Sequence, residues 1–244
     1  MLVTISDLKD NPLSLNRIVH CSRVCVQIMR AIIPNDPERV LELSTCLCPD
    51  ELRRAARFLS DESRLEFLFG RSLLRHLLGV RTKTAPEQLT FGYGAWGKPY
   101  LKSPATAEHV QFNISHSNGQ LILALCDNRR VGVDIERIRS EMDWLLVARQ
   151  YFSPTEVDAL LSFPPDLQAA AFFKVWTCKE AYLKATGLGL TGSLPDIEVI
   201  LSPGREPELR TSQSAVGDDR KWKLQSLPLG KGYVGALVFE DSTQ

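Results

Sequence analysis

The stretch Val131-Gly132-Val133-Asp134-Ile135-Glu136 alternates apolar and acidic residues behind a glycine. Successive side chains of a strand point to opposite faces, so Val131, Val133 and Ile135 share one face while Asp134 and Glu136 share the other. On that second face two carboxylates sit about 7 Å apart and repel unless something positive lies between them. The pair is either a solvated polar face or part of a magnesium site. Magnesium takes oxygen ligands from one or two carboxylates and completes its octahedron with waters and substrate phosphates. The spacing alone leaves both readings open.

Working outward, Val110 to Ser115 and Gln120 to Cys126 read as further strands separated by polar turns. Leu89 to Tyr93 reads as a strand leading into the turn Gly94-Ala95-Trp96-Gly97-Lys98-Pro99. Val24, Val26 and Ile28 alternate within residues 22–33 as in a half-buried strand, and the first twenty or so residues read as a flexible leader. Pro49 to Phe58 and Asp61 to Leu78 read as helices. In the second, Leu65, Leu68, Phe69, Leu73 and Leu77 recur at helical spacing, with Gly79 expected to end it.

Downstream, helices are expected near 141–151, 154–162 and 166–186, the last stopped by Gly187. Strands are expected at 196–201, 221–227 and 232–239, with the polar run Ser202 to Asp219 as an exposed loop. Strand, helices, strands thus occurs twice. That order predicts an α+β (α/β) fold of two similar halves, each a small sheet packed with helices, divided near residue 130 into 1–130 and 131–244.

Two further clusters carry chemistry. On the helix Phe172-Phe173-Lys174-Val175-Trp176-Thr177-Cys178-Lys179-Glu180-Ala181-Tyr182-Leu183-Lys184, the residues Trp176, Glu180 and Lys184 fall along one stripe at i, i+4 and i+8. By itself this is an acid and a base side by side, an ordinary surface ion pair worth a few tenths of a kcal/mol. The stretch Phe112-Asn113-Ile114-Ser115-His116-Ser117 ends a strand with two hydroxyls and an imidazole at a turn, which suits phosphate contact. Ser115 lacks the G-x-S-x-G elbow of a hydrolase nucleophile. Lys98 is either a further phosphate contact or a turn lysine.

The bulk properties set limits. The apolar share is 44% and the charged share 24%, as in an ordinary globular protein with ample core. The 29 basic and 29 acidic side chains cancel, which disfavours nucleic acid as a partner. No run of about 18 apolar residues and no secretory signal is present, so a cytoplasmic chain without a membrane span is expected. Cys21, Cys25, Cys46, Cys48, Cys126 and Cys178 form no C-x-x-C pair and read as reduced thiols, mostly buried.

Taken in order, G-K-P at 97–99, F-N-I-S-H-S at 112–117, V-G-V-D-I-E at 131–136 and W-T-C-K-E-A-Y-L-K at 176–184 closely resemble the Sfp-type 4′-phosphopantetheinyl transferases. The match runs from Gly97 to about Leu190. The resemblance implies transfer of phosphopantetheine from coenzyme A to a serine of an apo acyl or peptidyl carrier protein, with 3′,5′-ADP as the other product. It also implies two α/β halves related by a pseudo-twofold, with the active site between them in one monomeric chain.

Carried over, Asp134, Glu136 and Glu180 are the magnesium ligands. Lys184 contacts the diphosphate, and Glu180 takes the serine proton directly or through a metal-bound water. Ser115, His116, Lys98 and Lys179 contact coenzyme A, with Arg54 and Arg64 as candidates for its 3′-phosphate. Arg137, Arg139 and Arg149 would flank the site as a basic patch for an acidic carrier. A phosphohydrolase using water, and an inactive carrier-binding module, are the alternatives.

Overall fold

The computed structural model describes residues 13–21, 24–189, 194, 197–202, 204–211 and 221–241. The chain opens with β1 (Leu13–Cys21) and β2 (Val24–Ile32), followed by α1 (Pro37–Leu43), α2 (Pro49–Ala55) and α3 (Asp61–Thr82). Four strands come next, β3 (Thr90–Tyr93), β4 (Pro99–Ser103), β5 (Val110–Ser117) and β6 (Gln120–Asp127). After β7 (Val131–Arg137) come α4 (Trp144–Tyr151), α5 (Pro154–Leu161) and α6 (Pro165–Thr186). The described chain closes with β8 (Ile197–Ile200), β9 (Glu208–Thr211), β10 (Trp222–Ser226) and β11 (Tyr233–Glu240).

The larger sheet has the order β1-β2-β6-β5 and the second β10-β11-β7; β3-β4 and β8-β9 are separate hairpins. Alternation along the strands decides how these layers stack. Leu121, Leu123 and Leu125 of β6 share a core with Leu68, Phe69, Leu74 and Leu78 of α3. Ile122, Ala124 and Cys126, one residue out of phase, join Val131, Val133 and Ile135 of β7 and Leu237 and Phe239 of β11. The opposite face of β11, at Ala236 and Val238, packs with Ala181, Tyr182 and Ala185 of α6. The order is therefore α3, first sheet, second sheet, α6. β6 is apolar almost throughout because both of its faces are buried.

The second sheet and α6 meet at unusually close range. A Cβ on Gly132 would lie 2.1 Å from the Ala181 carbonyl oxygen and 2.4 Å from the Ala185 nitrogen. Only glycine permits that approach, and it brings the Asp134 face of β7 directly under the Glu180–Lys184 stripe of α6.

Several elements differ from the sequence reading. α3 does not end at Gly79 but runs to Thr82, where Lys83 takes a left-handed φ of 54°. Gly79 is needed instead for packing, since its Cβ would meet the Thr84 carbonyl oxygen at 2.8 Å. The expected leader contains β1, antiparallel to β2; residues 1–12 lie outside the described residues. β9 lies within the expected loop, whose residues 212–219 are also outside them, and α1 and β4 were not anticipated. β5 runs two residues past Ser115, so that Ser115-His116-Ser117 ends the strand ahead of the Asn118-Gly119 turn.

Gly132→Ala should lower unfolding free energy by about 3 kcal/mol, the upper range for overpacking, because backbone cannot yield as a side-chain tip does. A urea midpoint within error of the parent would disprove the close approach.

Candidate active site

Three side chains of β5 reach sideways to β7, the edge strand of the other sheet. The backbone N–H of Val133 donates to Asn113 Oδ1 at 2.9 Å, that of Ile135 to Ser115 Oγ at 3.4 Å, and that of Arg137 to Ser117 Oγ at 3.2 Å. Asn113, Ser115 and Ser117 share one face of β5 by the two-residue period, and each stands twenty positions before its donor, so the strands run parallel. An edge strand leaves N–H groups without a ladder partner, and here side chains supply one.

The two serines also hold the acidic face. Ser115 Oγ donates to Asp134 Oδ1 at 2.8 Å, and Ser117 Oγ donates to Glu136 Oε2 at 3.0 Å. Lys184 Nζ donates to Asp134 Oδ1 at 2.6 Å and to Ser115 Oγ at 2.9 Å. The expected Glu180–Lys184 surface pair is thus a cross-layer pair between α6 and β7. Asp134 is 4% exposed.

This leaves Asp134 Oδ2 and Glu180 Oε1 buried without a hydrogen-bond partner. Burial, reinforced by the Asp134 charge, raises the pKa of Glu136 and of Glu180 above the usual carboxylate range, with Lys184 opposing the shift in both. Lys184, with the partly exposed Arg139 guanidinium 3.9 Å from Glu136, does not balance three acids. Hard oxygen donors in electrostatic excess, two with a free buried oxygen, are the donor set a divalent cation fits. Among the described residues no three or more His, Cys, Asp or Glu side chains form a ready-made group that could hold a metal ion. Magnesium does not need one, since waters and phosphates supply most of its ligands.

Beside these acids lies a pocket of about 230 Å³ lined by Trp96, Lys98, Asn113, Glu180, Lys184 and Gly187 among others. Lys98 Nζ donates to the carbonyl oxygens of Val131 at 3.1 Å and Ala185 at 2.9 Å, pinning the start of β7 to the end of α6. Burial, with Arg130 nearby, pushes its pKa down to about 8. A second cleft of about 650 Å³ is lined by Asp50, Arg53, Arg54, Arg57 and Phe58. There Arg54 stacks over the rings of Phe67 and Tyr93, at 5.4 and 5.9 Å.

Other expected contacts fall elsewhere. His116, one residue from Ser115, necessarily points to the opposite face of β5, and its Nδ1 lies 3.0 Å from Glu66 Oε2. Arg64 is exposed and pairs with Asp61 at 2.8 Å. Lys179 requires a correction. It is 0% exposed, and its Nζ donates to Glu156 Oε2 at 2.6 Å and to the Leu194 carbonyl at 2.9 Å. Neighbouring helical residues diverge by about 100°, so Lys179 turns away from the Glu180 face and is saturated inside the core.

Asn113 is given no role by the sequence reading and Ser117 only a phosphate contact, although their period-2 spacing with Ser115 is the signal that joins the three. Cys46, Cys126 and Cys178 are buried thiols; burial pushes those of Cys126 and Cys178 up to about 12, so they stay protonated and inert.

A family model described as "4'-phosphopantetheinyl transferase superfamily" matches residues 130–238, and one described as "4'-phosphopantetheinyl transferase, N-terminal" matches residues 34–127. The 4′-phosphopantetheinyl transferase HetI of Nostoc sp. strain PCC 7120 is 37% identical over 213 residues, covering 87% of this chain and 86% of that protein. The chain belongs to the Sfp-type 4′-phosphopantetheinyl transferases. It transfers phosphopantetheine from coenzyme A to carrier proteins.

The transferase is also 30% identical over 155 residues to Sfp of Bacillus subtilis strain 168, covering 64% of this chain and 66% of that protein. The solved holo-[acyl-carrier-protein] synthase of Helicobacter pylori in complex with coenzyme A aligns with 46% of the transferase and 99% of that chain. Its TM-score of 0.38 and 19% identity are too low to carry geometry across. Among the described residues no helix is long and apolar enough to cross a membrane.

Two predictions follow from the charges. The raised pKa values of Glu136 and Glu180 mean the fold binds these protons more tightly than the unfolded chain does. The associated stability is therefore present below the ordinary carboxylate range and lost as pH rises through the raised values. Without divalent cation at neutral pH, Glu180→Gln should raise Tm by roughly 2–4 °C, as about 1 kcal/mol does in a chain of this length. The gain should shrink on acidification; a variant that melts lower at every pH would refute the excess of negative charge. Lys179→Met should destabilise by about 3–5 kcal/mol by stranding Glu156, with the KM for coenzyme A unchanged in the folded fraction. A raised KM with intact stability would return Lys179 to the coenzyme site.

Proposed function

We propose that the chain is a transferase of the holo-[acyl-carrier-protein] synthase type that attacks the diphosphate of coenzyme A with a carrier-protein serine, dependent on magnesium and releasing 3′,5′-ADP. The observation carrying this reading is the pair of unpartnered buried oxygens, Asp134 Oδ2 and Glu180 Oε1, facing one lysine at a pocket beside the seam between the sheets. Asp134, Glu136 and Glu180 would hold the magnesium ion, which when bound supplies charge neutralisation for a diphosphate.

The rest is done by the chain. Lys184, oriented by Ser115 and Asp134, places a cation where charge develops on the leaving phosphate. Glu180 has a raised pKa and a free oxygen, so it is suited to accept the proton of the incoming serine. No protein nucleophile is required. Lys98 lines the proposed coenzyme pocket and Ser115 meets it only through Lys184, while the Arg54 cleft offers guanidinium groups for a phosphate.

Division of the chain into halves 1–130 and 131–244 is supported by the two family models, which meet between residues 127 and 130. A carrier with acidic residues around its serine would dock on Arg137, Arg139 and Arg149. The partly exposed Arg139 guanidinium, 3.9 Å from Glu136 Oε2, supports this reading for one of the three. Both sheets contribute to the site within one chain, so a monomer suffices.

Incubating apo carriers of several classes with coenzyme A, magnesium and the enzyme should add one phosphopantetheine arm by intact mass, with carrier-dependent release of 3′,5′-ADP. Glu180→Gln should abolish transfer while remaining folded, and Arg149→Glu should raise KM for carrier but not for coenzyme A. Release of 3′,5′-ADP at full rate without carrier would instead identify a hydrolase.

A further inference from the structure

The β5 residue that touches Glu136 has no role in the reading above. Ser117 Oγ accepts the Arg137 backbone N–H at 3.2 Å, and its hydroxyl proton goes to Glu136 Oε2 at 3.0 Å. The first bond fixes the oxygen against the rigid edge of β7, so the second is aimed. Ser115 does the same for Asp134 two residues earlier, accepting from Ile135 and donating to Asp134 Oδ1. Asp134 has Lys184 as a second anchor at 2.6 Å; among the described residues Glu136 has beside Ser117 only the partly exposed Arg139 guanidinium, at 3.9 Å from the same oxygen. A glutamate has one more rotatable bond than an aspartate, and without Ser117 no described residue would hydrogen-bond its carboxylate.

We propose that Ser117 is a positioning residue that turns the Glu136 carboxylate toward Asp134 and Glu180 and thereby sets the affinity of this acidic cluster for a divalent cation. The proposal rests on the reading of these three acids as cation holders. Partners that hydrogen-bond a ligating side chain typically contribute 10–100-fold in metal affinity or activity. The sequence offers Ser117 as one of two hydroxyls in a Ser-His-Ser run, but strand geometry gives the two different tasks: Ser115 is shared between Lys184 and Asp134, whereas Glu136 is the acid that Ser117 contacts.

The test is Mn²⁺ titration of the full-length enzyme, read by electron paramagnetic resonance of free ion, for the parent, Ser117→Ala, Ser117→Thr and Glu136→Gln. Ser117→Ala should weaken Mn²⁺ binding by about 10-fold or more, and Ser117→Thr, which keeps the hydroxyl, should restore it to within about threefold. In the transfer assay the Ser117→Ala defect should be overcome by raising magnesium, with kcat recovered at saturation; a merely distorted seam would lower kcat at every concentration. Unchanged Mn²⁺ affinity in Ser117→Ala beside a weakened Glu136→Gln would overturn the role of Ser117. Unchanged affinity in Glu136→Gln would overturn the cation site itself.

Discussion

The candidate site depends on a seam where two sheet edges meet without sharing a backbone ladder. β5 and β7 run side by side, and Asn113, Ser115 and Ser117 accept the N–H groups of Val133, Ile135 and Arg137. Each such bond contributes only about 0.5–1.5 kcal/mol, but leaving a buried donor unpaired costs about 1–3 kcal/mol, so the seam is specified by what its loss would leave behind. It also sets register. Residues two apart on β5 meet residues two apart on β7, and the same hydroxyls that accept N–H groups donate to Asp134 and Glu136. A slip of one residue would turn the acids into the Ile122–Val133 core.

The second constraint comes from above β7. Gly132 lets α6 approach until backbone meets backbone, and Lys98 ties the two elements together through the Val131 and Ala185 carbonyls. Three carboxylates and one ammonium are thereby gathered in a half-buried space. The fold holds them at an electrostatic disadvantage, visible in the upward pKa shifts of Glu136 and Glu180. Such strain in the resting protein is typical of sites that wait for a charged ligand. By contrast, the buried Lys179–Glu156 pair is fully satisfied, with Glu156 Oε1 also accepting the Val199 N–H, and it serves the fold.

Much of the architecture was legible along the chain. The period-2 pattern at Val131 to Glu136, the helical leucines of α3 and the glycine stop at Gly187 each follow from local rules, and Gly187 does adopt a φ of 76°. Other features were not. Gly79 looks like a helix stop but is a packing glycine, because its role depends on Thr84 folding back over it. Ser115, His116 and Ser117 read as one phosphate-contacting run at a strand end; they do end β5, but strand alternation divides them between two faces. Lys179 and Glu180 are adjacent in the motif, yet one is core and the other faces the site.

The sequence by itself determined which residue types were available and, through alternation and helical period, which of them share a face of one element. It thereby placed Asp134 with Glu136, and Glu180 with Lys184. The tertiary structure alone decided that Lys184 pairs with Asp134 rather than Glu180, that two serines aim the acids, and that Lys98 binds main chain. Those outcomes depend on how far apart two elements pack and in what register. Distances across layers are set by side-chain volume, by the missing Cβ of Gly132 and by unpaired edge N–H groups, and no periodicity within one segment encodes them.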